Sequence, residues 1–284
     1  MYAFIHIAKT AGTTLTSILR RSFGWRHFDD RILDRPMVAR DLSRLRMAMP
    51  QVASLAGHGI RPHLDLHLAE PGLRYFTFLR DPIERAISCF QFVAATHPNY
   101  RDQAYTNSNL REWFFRHIES DHNCQTRHLA GDANAALAVE ILNQRVGFVG
   151  LVSQFEDSLR MLQAWMKDQH LDIRYQSLNV TAKRSGATRE QSVRFQQLRD
   201  FGQLAKQDPI LLDHVHAHNQ SDLELYRHAS KVRYPEERER LMPHIDQESH
   251  SRMHPLEAKL KLLPCKLQRN LVLKPLKRWL FDAA

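Results

Sequence analysis

The chain has 284 residues, with 40 Lys and Arg against 31 Asp and Glu and a net charge of +9 when histidine is neutral. With 43% hydrophobic residues it can bury one large core, or a core plus an extension, which excludes global disorder. No apolar run reaches about eighteen residues and a strand pattern starts almost at Met1, so the sequence predicts no signal peptide, no integral membrane segment and a cytoplasmic location. Cys89, Cys124 and Cys265 are odd in number and lack C-x-x-C spacing, as expected of reduced thiols. The positive charge favours anionic partners: a polyphosphorylated cofactor, an acidic glycan, nucleic acid or a membrane surface. It is spread along the chain, and no RNA-binding or zinc-finger signature accompanies it.

Residues 2–7 are mostly apolar, with aromatic and β-branched members, and predict a short buried strand. Lys9-Thr10-Ala11-Gly12-Thr13-Thr14 follows, and Leu15, Ile18 and Leu19 then recur at helical spacing. Strand, small-residue loop and helix start together build a phosphate cradle, in which loop amides and the helix dipole converge on an anion. It is not the usual nucleoside-triphosphate loop, whose lysine comes after the second glycine. Here Lys9 precedes Gly12 by three residues. A strand–loop–helix without chemistry fits the segment as well.

Trp25 to Phe28 predicts a short strand, Met37 to Met49 an amphipathic helix, and Gln51 to Gly57 another strand ending in Gly57-His58-Gly59. Leu64, Leu66 and Leu68 alternate beside His63 and His67. These histidines lack a carboxylate or cysteine at ligand spacing, so no metal site is expected from them. Tyr75 to Leu79 is a continuous apolar run suited to a parallel strand. Asp81 is a good N-cap and Pro82 suits the first helical position, which predicts a helix to about Ala95. Arg80 then stands at the carboxyl end of a strand, where open α/β sheets bind ligands, with Ser88 about two turns into the helix.

Farther on, a helix is predicted over Leu110 to Ile118, and Asp121 to Gly131 reads as a packed loop or an acceptor-binding segment through Gln125 or Arg127. Asn134 to Gln144 reads as a helix and Val146 to Leu151 as a strand. Ser153 is expected to cap the helix carrying Phe155, Leu159, Leu162 and Trp165, with Glu156 completing a capping box. Leu178 to Arg184 is a basic loop, and Pro209 to Ala229 predicts two helical pieces closing the core. Beyond about Lys231 the chain is basic and proline-punctuated, yet Leu260, Leu262, Leu263, Leu271, Val272 and Leu273 give it apolar surface. Packing on the core or homodimerisation through this extension is favoured over membrane-surface contact.

The order Ile-x-Lys-Thr-Ala-Gly-Thr-Thr-Leu resembles the 5′-phosphosulfate loop of sulfotransferases that use 3′-phosphoadenosine 5′-phosphosulfate, especially the uronyl and heparan sulfate 2-O-sulfotransferase branch. Those proteins commonly have proline before the lysine, where this chain has Ala8. Leu-Arg-Asp-Pro-x-x-Arg-x-x-Ser-x-Phe is similar to the 3′-phosphate motif of the same family. The resemblance implies cofactor contacts at Lys9, Thr10, Ala11, Gly12, Thr13 and Thr14, and at Arg80 and Ser88. It also implies a covering loop with Thr181, Lys183 and Arg184. The Gly-His pair at residues 57–58 resembles the one that supplies the catalytic base in the uronyl branch.

These readings give an α/β fold, a P-loop-like parallel sheet flanked by helices. Residues 1–230 form the sulfotransferase domain and 231–284 a basic helical extension. The implied reaction is in-line, metal-free sulfuryl transfer to a hydroxyl of a saccharide, with Lys9 at the leaving phosphate and His58 as base. Nucleic acid is not an expected partner. The alternatives are a non-catalytic binder of anionic glycan or nucleic acid and a P-loop phosphotransferase. The first does not account for two ordered phosphate motifs, and the second lacks its lysine.

Overall fold

The structure, a computed structural model, describes residues 1–29, 33, 35–101, 103–175, 189–245, 257, 260–277 and 280–281. Apolar runs at β1 (Tyr2–Ile5), β3 (Ser54–Gly57), β4 (Arg74–Leu79) and β5 (Val146–Leu151) are buried nearly throughout, as strands covered on both faces must be. With β2 (His27–Asp29) they make a five-stranded sheet in the order β2-β3-β1-β4-β5. Every pairing is parallel.

Parallel neighbours require crossovers, and helices supply them. α1 (Gly12–Phe23) joins β1 to β2, and α2 (Ala39–Ala48) joins β2 to β3. The short α3 (Leu66–Ala69) precedes β4, so the alternating leucines there wind into a helical turn. Between β4 and β5 run α4 (Pro82–Thr96), α5 (Pro98–Arg101), α6 (Asn107–Ser120), α7 (Cys124–Ala130) and α8 (Ala135–Gln144). α9 (Phe155–Trp165) follows β5, and α10 (Arg189–Ala205), α11 (Pro209–His218) and α12 (Gln220–His228) come next. The chain leaves β1 toward one side of the sheet and β4 toward the other, which opens a crevice at their carboxyl ends.

Two apolar cores result. The larger surrounds the sheet, and aromatic side chains fill it: Phe4 stacks on Phe76 with centroids 5.1 Å apart, and Phe78 meets Phe155 edge-on at 5.8 Å. The smaller joins α4, α6, α10 and α11 through Ile87, Phe90, Phe114, Phe201 and Val215. Helix α12 continues through a π-helical turn (Ala229–Arg233) into α13 (Tyr234–Leu241), so helix runs across residue 230. Described parts of the extension lie against the sheet layer. Arg233 donates to the Val146 carbonyl at 3.0 Å, and Phe281 packs on Phe28 with centroids 5.8 Å apart.

One local expectation is corrected. Ser153 does not cap α9; the residue before that helix is Gln154, with no side-chain cap, and the Ser153 hydroxyl lies 3.3 Å from the Tyr226 hydroxyl. Glu156 is occupied by the Tyr175 hydroxyl instead of closing a capping box. Tertiary partners have taken both groups.

The buried His27 predicts acid lability. Burial, with Arg20 adding repulsion, pushes its pKa down to about 3, while Nδ1 lies 3.0 Å from the Ser54 hydroxyl. Between that value and the ordinary histidine range the unfolded chain binds a proton that the folded chain refuses. Stability is therefore complete above about pH 6.5 and falls as pH drops below it. Denaturant titration should show about 1–2 kcal/mol less stability at pH 5.5 than at 7.5 from this group, and a shallower slope in His27→Gln. An unchanged slope in the variant would contradict the assignment.

Candidate active site

The loop after β1 owes its shape to close packing. Lys9 and Ala11 adopt left-handed backbone, with φ of 67° and 65°, which is costly outside glycine. Such reversals turn successive N–H groups into a concavity suited to an anion. The Thr10 hydroxyl, fully buried, donates to the Ile7 carbonyl at 3.0 Å and staples the turn from inside. Thr14 and Leu15 donate to the Ala11 carbonyl as α1 begins, so the Gly12 and Thr13 amides precede the first intrahelical donors. Gly12 is required by its neighbour: a Cβ there would stand 1.8 Å from Nε2 of His6. His6, just after β1, is buried, and its ring stacks on that of the exposed His58 with centroids 4.1 Å apart.

The second motif forms as its residues dictate. The Asp81 carboxylate accepts from the Ile83 and Glu84 amides at 3.1 and 3.0 Å, and Pro82 opens α4. Arg80, at the end of β4, leans across the crevice and donates to the Lys9 carbonyl at 3.4 Å. The structure thus brings the two motifs together. Nζ of Lys9 lies 4.6 Å from the centre of the Phe92 ring, one helical turn beyond the half-buried Ser88. Burial is the main cause lowering the pKa values of both Lys9 and Arg80; each also feels a neighbouring guanidinium, Arg80 for Lys9 and Arg85 for Arg80. Two cations that feel one another's charge while partly desolvated make a site that gains by receiving a polyanion. Glu84 partly balances Arg80, at 3.3 Å, and also pairs with Lys206 at 2.6 Å.

Sequence reasoning missed the scaffold behind Arg80. Gln125, fully buried, accepts from the Arg80 N–H at 3.0 Å and donates to the Arg80 carbonyl at 2.8 Å. The Asp222 carboxylate receives the Gln125 and Thr126 amides at 3.1 and 2.7 Å, at the start of α7. Arg85, also fully buried, sits between Asp121 at 2.9 Å and Asp222 at 4.0 Å. Gln125 is therefore a packed, internally bonded residue rather than one presented to an acceptor. The only early signal was the polar run of small and amide residues from Asp121 to Gln125.

Beside this scaffold lies a cavity of about 360 Å³, lined by residues that include Arg61, His63, Asp121, Arg127 and His128. His128 is 4% exposed and its Nε2 has no hydrogen-bond partner. Burial first, then Arg61, His58, His6 and His63, push its pKa well down, so it stays neutral within reach of the stacked pair. Thr181, Lys183 and Arg184 lie outside the described residues. Among the described residues no helix is long and apolar enough to cross a membrane.

The packing of His6 on Gly12 makes a steric test. Gly12→Ala should cost about 1–3 kcal/mol through overpacking and disturb the loop. His6→Ala added to that background should restore much of the loss, as thermal denaturation would show. Failure of the second change to rescue would mean that Gly12 is needed for another reason.

No curated protein sequence matches the chain significantly. The profile of the Sulfotransferase family matches residues 2–229, which takes in the loop after β1, the Arg80–Ser88 segment, Gln125 and Asp222. The chain belongs to the sulfotransferase family, and its chemistry is sulfuryl transfer to an acceptor.

Proposed function

We propose that the protein is a 3′-phosphoadenosine 5′-phosphosulfate-dependent sulfotransferase acting on a saccharide hydroxyl, akin to the uronyl 2-O-sulfotransferase branch. The observation that carries this reading is the contact between Arg80 and the Lys9 carbonyl, which unites two cationic anchors in one crevice. The donor set fits a nucleotide with phosphates at both ends: loop amides and an ammonium on one side, a guanidinium fork and a hydroxyl on the other. When bound, that nucleotide supplies an activated sulfuryl group.

In this reading Lys9, with the amides of Gly12 and Thr13, holds the 5′-phosphate side and stabilises the charge that builds on the leaving oxygen. Thr10 and Ala11 keep the loop turned, and Thr14 stands in the first turn of α1. Arg80 and Ser88 hold the 3′-phosphate, and the basic loop with Thr181, Lys183 and Arg184 is assigned to cover it by family likeness. His58 takes the proton of the acceptor hydroxyl, its ring oriented by the stack on His6. The cavity carrying Arg61 and Arg127 receives the acceptor and favours one bearing acidic groups. A phosphotransferase reading gains nothing here, since Thr13 stands where that chemistry wants lysine.

Calorimetry with 3′-phosphoadenosine 5′-phosphate tests the binding half. Arg80→Ala should weaken binding by about 1.5–3 kcal/mol and Ser88→Ala by about 0.5–1.5 kcal/mol, the ranges for a charged and a neutral hydrogen bond. Wild-type affinity in both variants, or preference for ATP with Mg²⁺, would overturn the assignment.

Turnover tests the division of labour. His58→Ala should lose about 10²–10⁴-fold in rate with nucleotide binding intact. A more acidic acceptor hydroxyl, such as a phenol, should recover part of that loss. Lys9→Ala should be slow with every acceptor. Full activity of His58→Ala on a saccharide acceptor would place the base elsewhere, with His63 next to test.

A further inference from the structure

Sulfuryl transfer leaves three side chains at one end of the helical layer without a task. His214 and His218 stand one turn apart on α11, so they share a face, and Glu119 meets them from the end of α6. Their rings lie with centroids 4.2 Å apart, and Nε2 of His214 is 3.9 Å from a carboxylate oxygen of Glu119. One donor atom from each residue lies within 4.8 Å of the other two. Nδ1 of His218 donates to the His214 carbonyl at 2.9 Å, which fixes the tautomer and leaves Nε2 with its lone pair. That is how metal-binding histidines are usually oriented. The 3.3 Å contact of His214 Nε2 with the Phe115 carbonyl means that this nitrogen carries the ring proton; binding an ion there moves the proton to Nδ1, and the Phe115 carbonyl, within α6, stays in the helical ladder.

We propose that Glu119, His214 and His218 form a binding site for a divalent transition metal of the zinc class, separate from the sulfuryl-transfer site. Two imidazoles and a carboxylate suit such an ion, and partial exposure leaves its remaining position to water. Tetrahedral bonds of about 2.0–2.2 Å need donor atoms closer than they stand, a closure that side-chain rotation on two fixed helices can supply. Cys89, His117 and Asp121 also converge, but Asp121 is held by the Arg85 guanidinium at 2.9 Å and burial pushes the Cys89 thiol up to about 11. That group stays protonated and paired.

The placement gives the ion a structural role. Asp121, two residues after Glu119, pairs with Arg85, and Asn219, next after His218, accepts from the Asn123 amide at 3.1 Å. An ion bridging α6 and α11 therefore fastens both ends of the scaffold that positions Arg80.

The test is titration of chelator-treated full-length protein with ZnCl₂, followed by calorimetry and thermal denaturation. One zinc per chain and a raised Tm are expected. The His214→Ala/His218→Ala protein should bind more than about 100-fold more weakly, Glu119→Gln should weaken binding less, and Cys89→Ser should bind like wild type. Should the double variant not fold, His218→Gln with intact circular dichroism carries the same expectation of weaker binding. Absence of saturable binding, undiminished binding in the histidine variants, or loss in Cys89→Ser would overturn the proposal. A thiolate charge-transfer band with Co²⁺ would overturn it as well. None of these readouts depends on sulfuryl transfer.

Discussion

The crevice depends on how the Arg80 peptide is held. Its N–H and its carbonyl both bond to the Gln125 side chain, so the direction in which the arginine leaves β4 is fixed from behind. Gln125 is held in turn by Asp222, whose carboxylate takes two amides at the start of α7 and lies beside the buried Arg85. Each of these bonds contributes only about 1 kcal/mol net, but breaking one leaves a polar group buried without water, which costs more. The network therefore acts as a rigid mount. It places a guanidinium against the Lys9 carbonyl, on a loop 71 residues away in sequence.

In the proposed function the mount matters because it confines two like charges that would otherwise spread apart. Lys9 and Arg80 are both partly desolvated, and their charges repel. Flexible side chains would escape into water. Here the left-handed loop, the Thr10 staple and the His6 ring under Gly12 fix the lysine side, while Gln125 fixes the arginine side. Preorganised cations lose little on receiving an anion, which is the general source of both affinity and transition-state stabilisation in such sites.

Much of this was legible along the chain. The apolar runs at β1 and β4, the Asp81-Pro82 helix start and the small-residue loop carry their own local physics, and each formed where the residues predict. The parallel α/β layout followed from strands buried on both faces. What was not legible is what depends on distant partners. Gln125 reaches Arg80 across 45 residues and Asp222 reaches Gln125 across 97, and neither spacing leaves a periodic trace. Ser153 looked like a cap until Tyr226, 73 residues away, approached its hydroxyl. Helix α10 leaves a faint trace in the sequence, because its long polar stretch masks Leu198, Phe201 and Ala205, which do recur at helical spacing and are buried.

The most direct measurement compares the binding of 3′-phosphoadenosine 5′-phosphate with that of adenosine 5′-phosphate, which lacks the 3′-phosphate, to wild type and Gln125→Met. If the Gln125 clamp aims Arg80 at the 3′-phosphate, the variant should lose about tenfold of the preference for the bisphosphate, the worth of one misplaced charge-assisted bond. Affinity for adenosine 5′-phosphate should stay near wild type. Undiminished preference in a folded Gln125→Met protein would contradict the account.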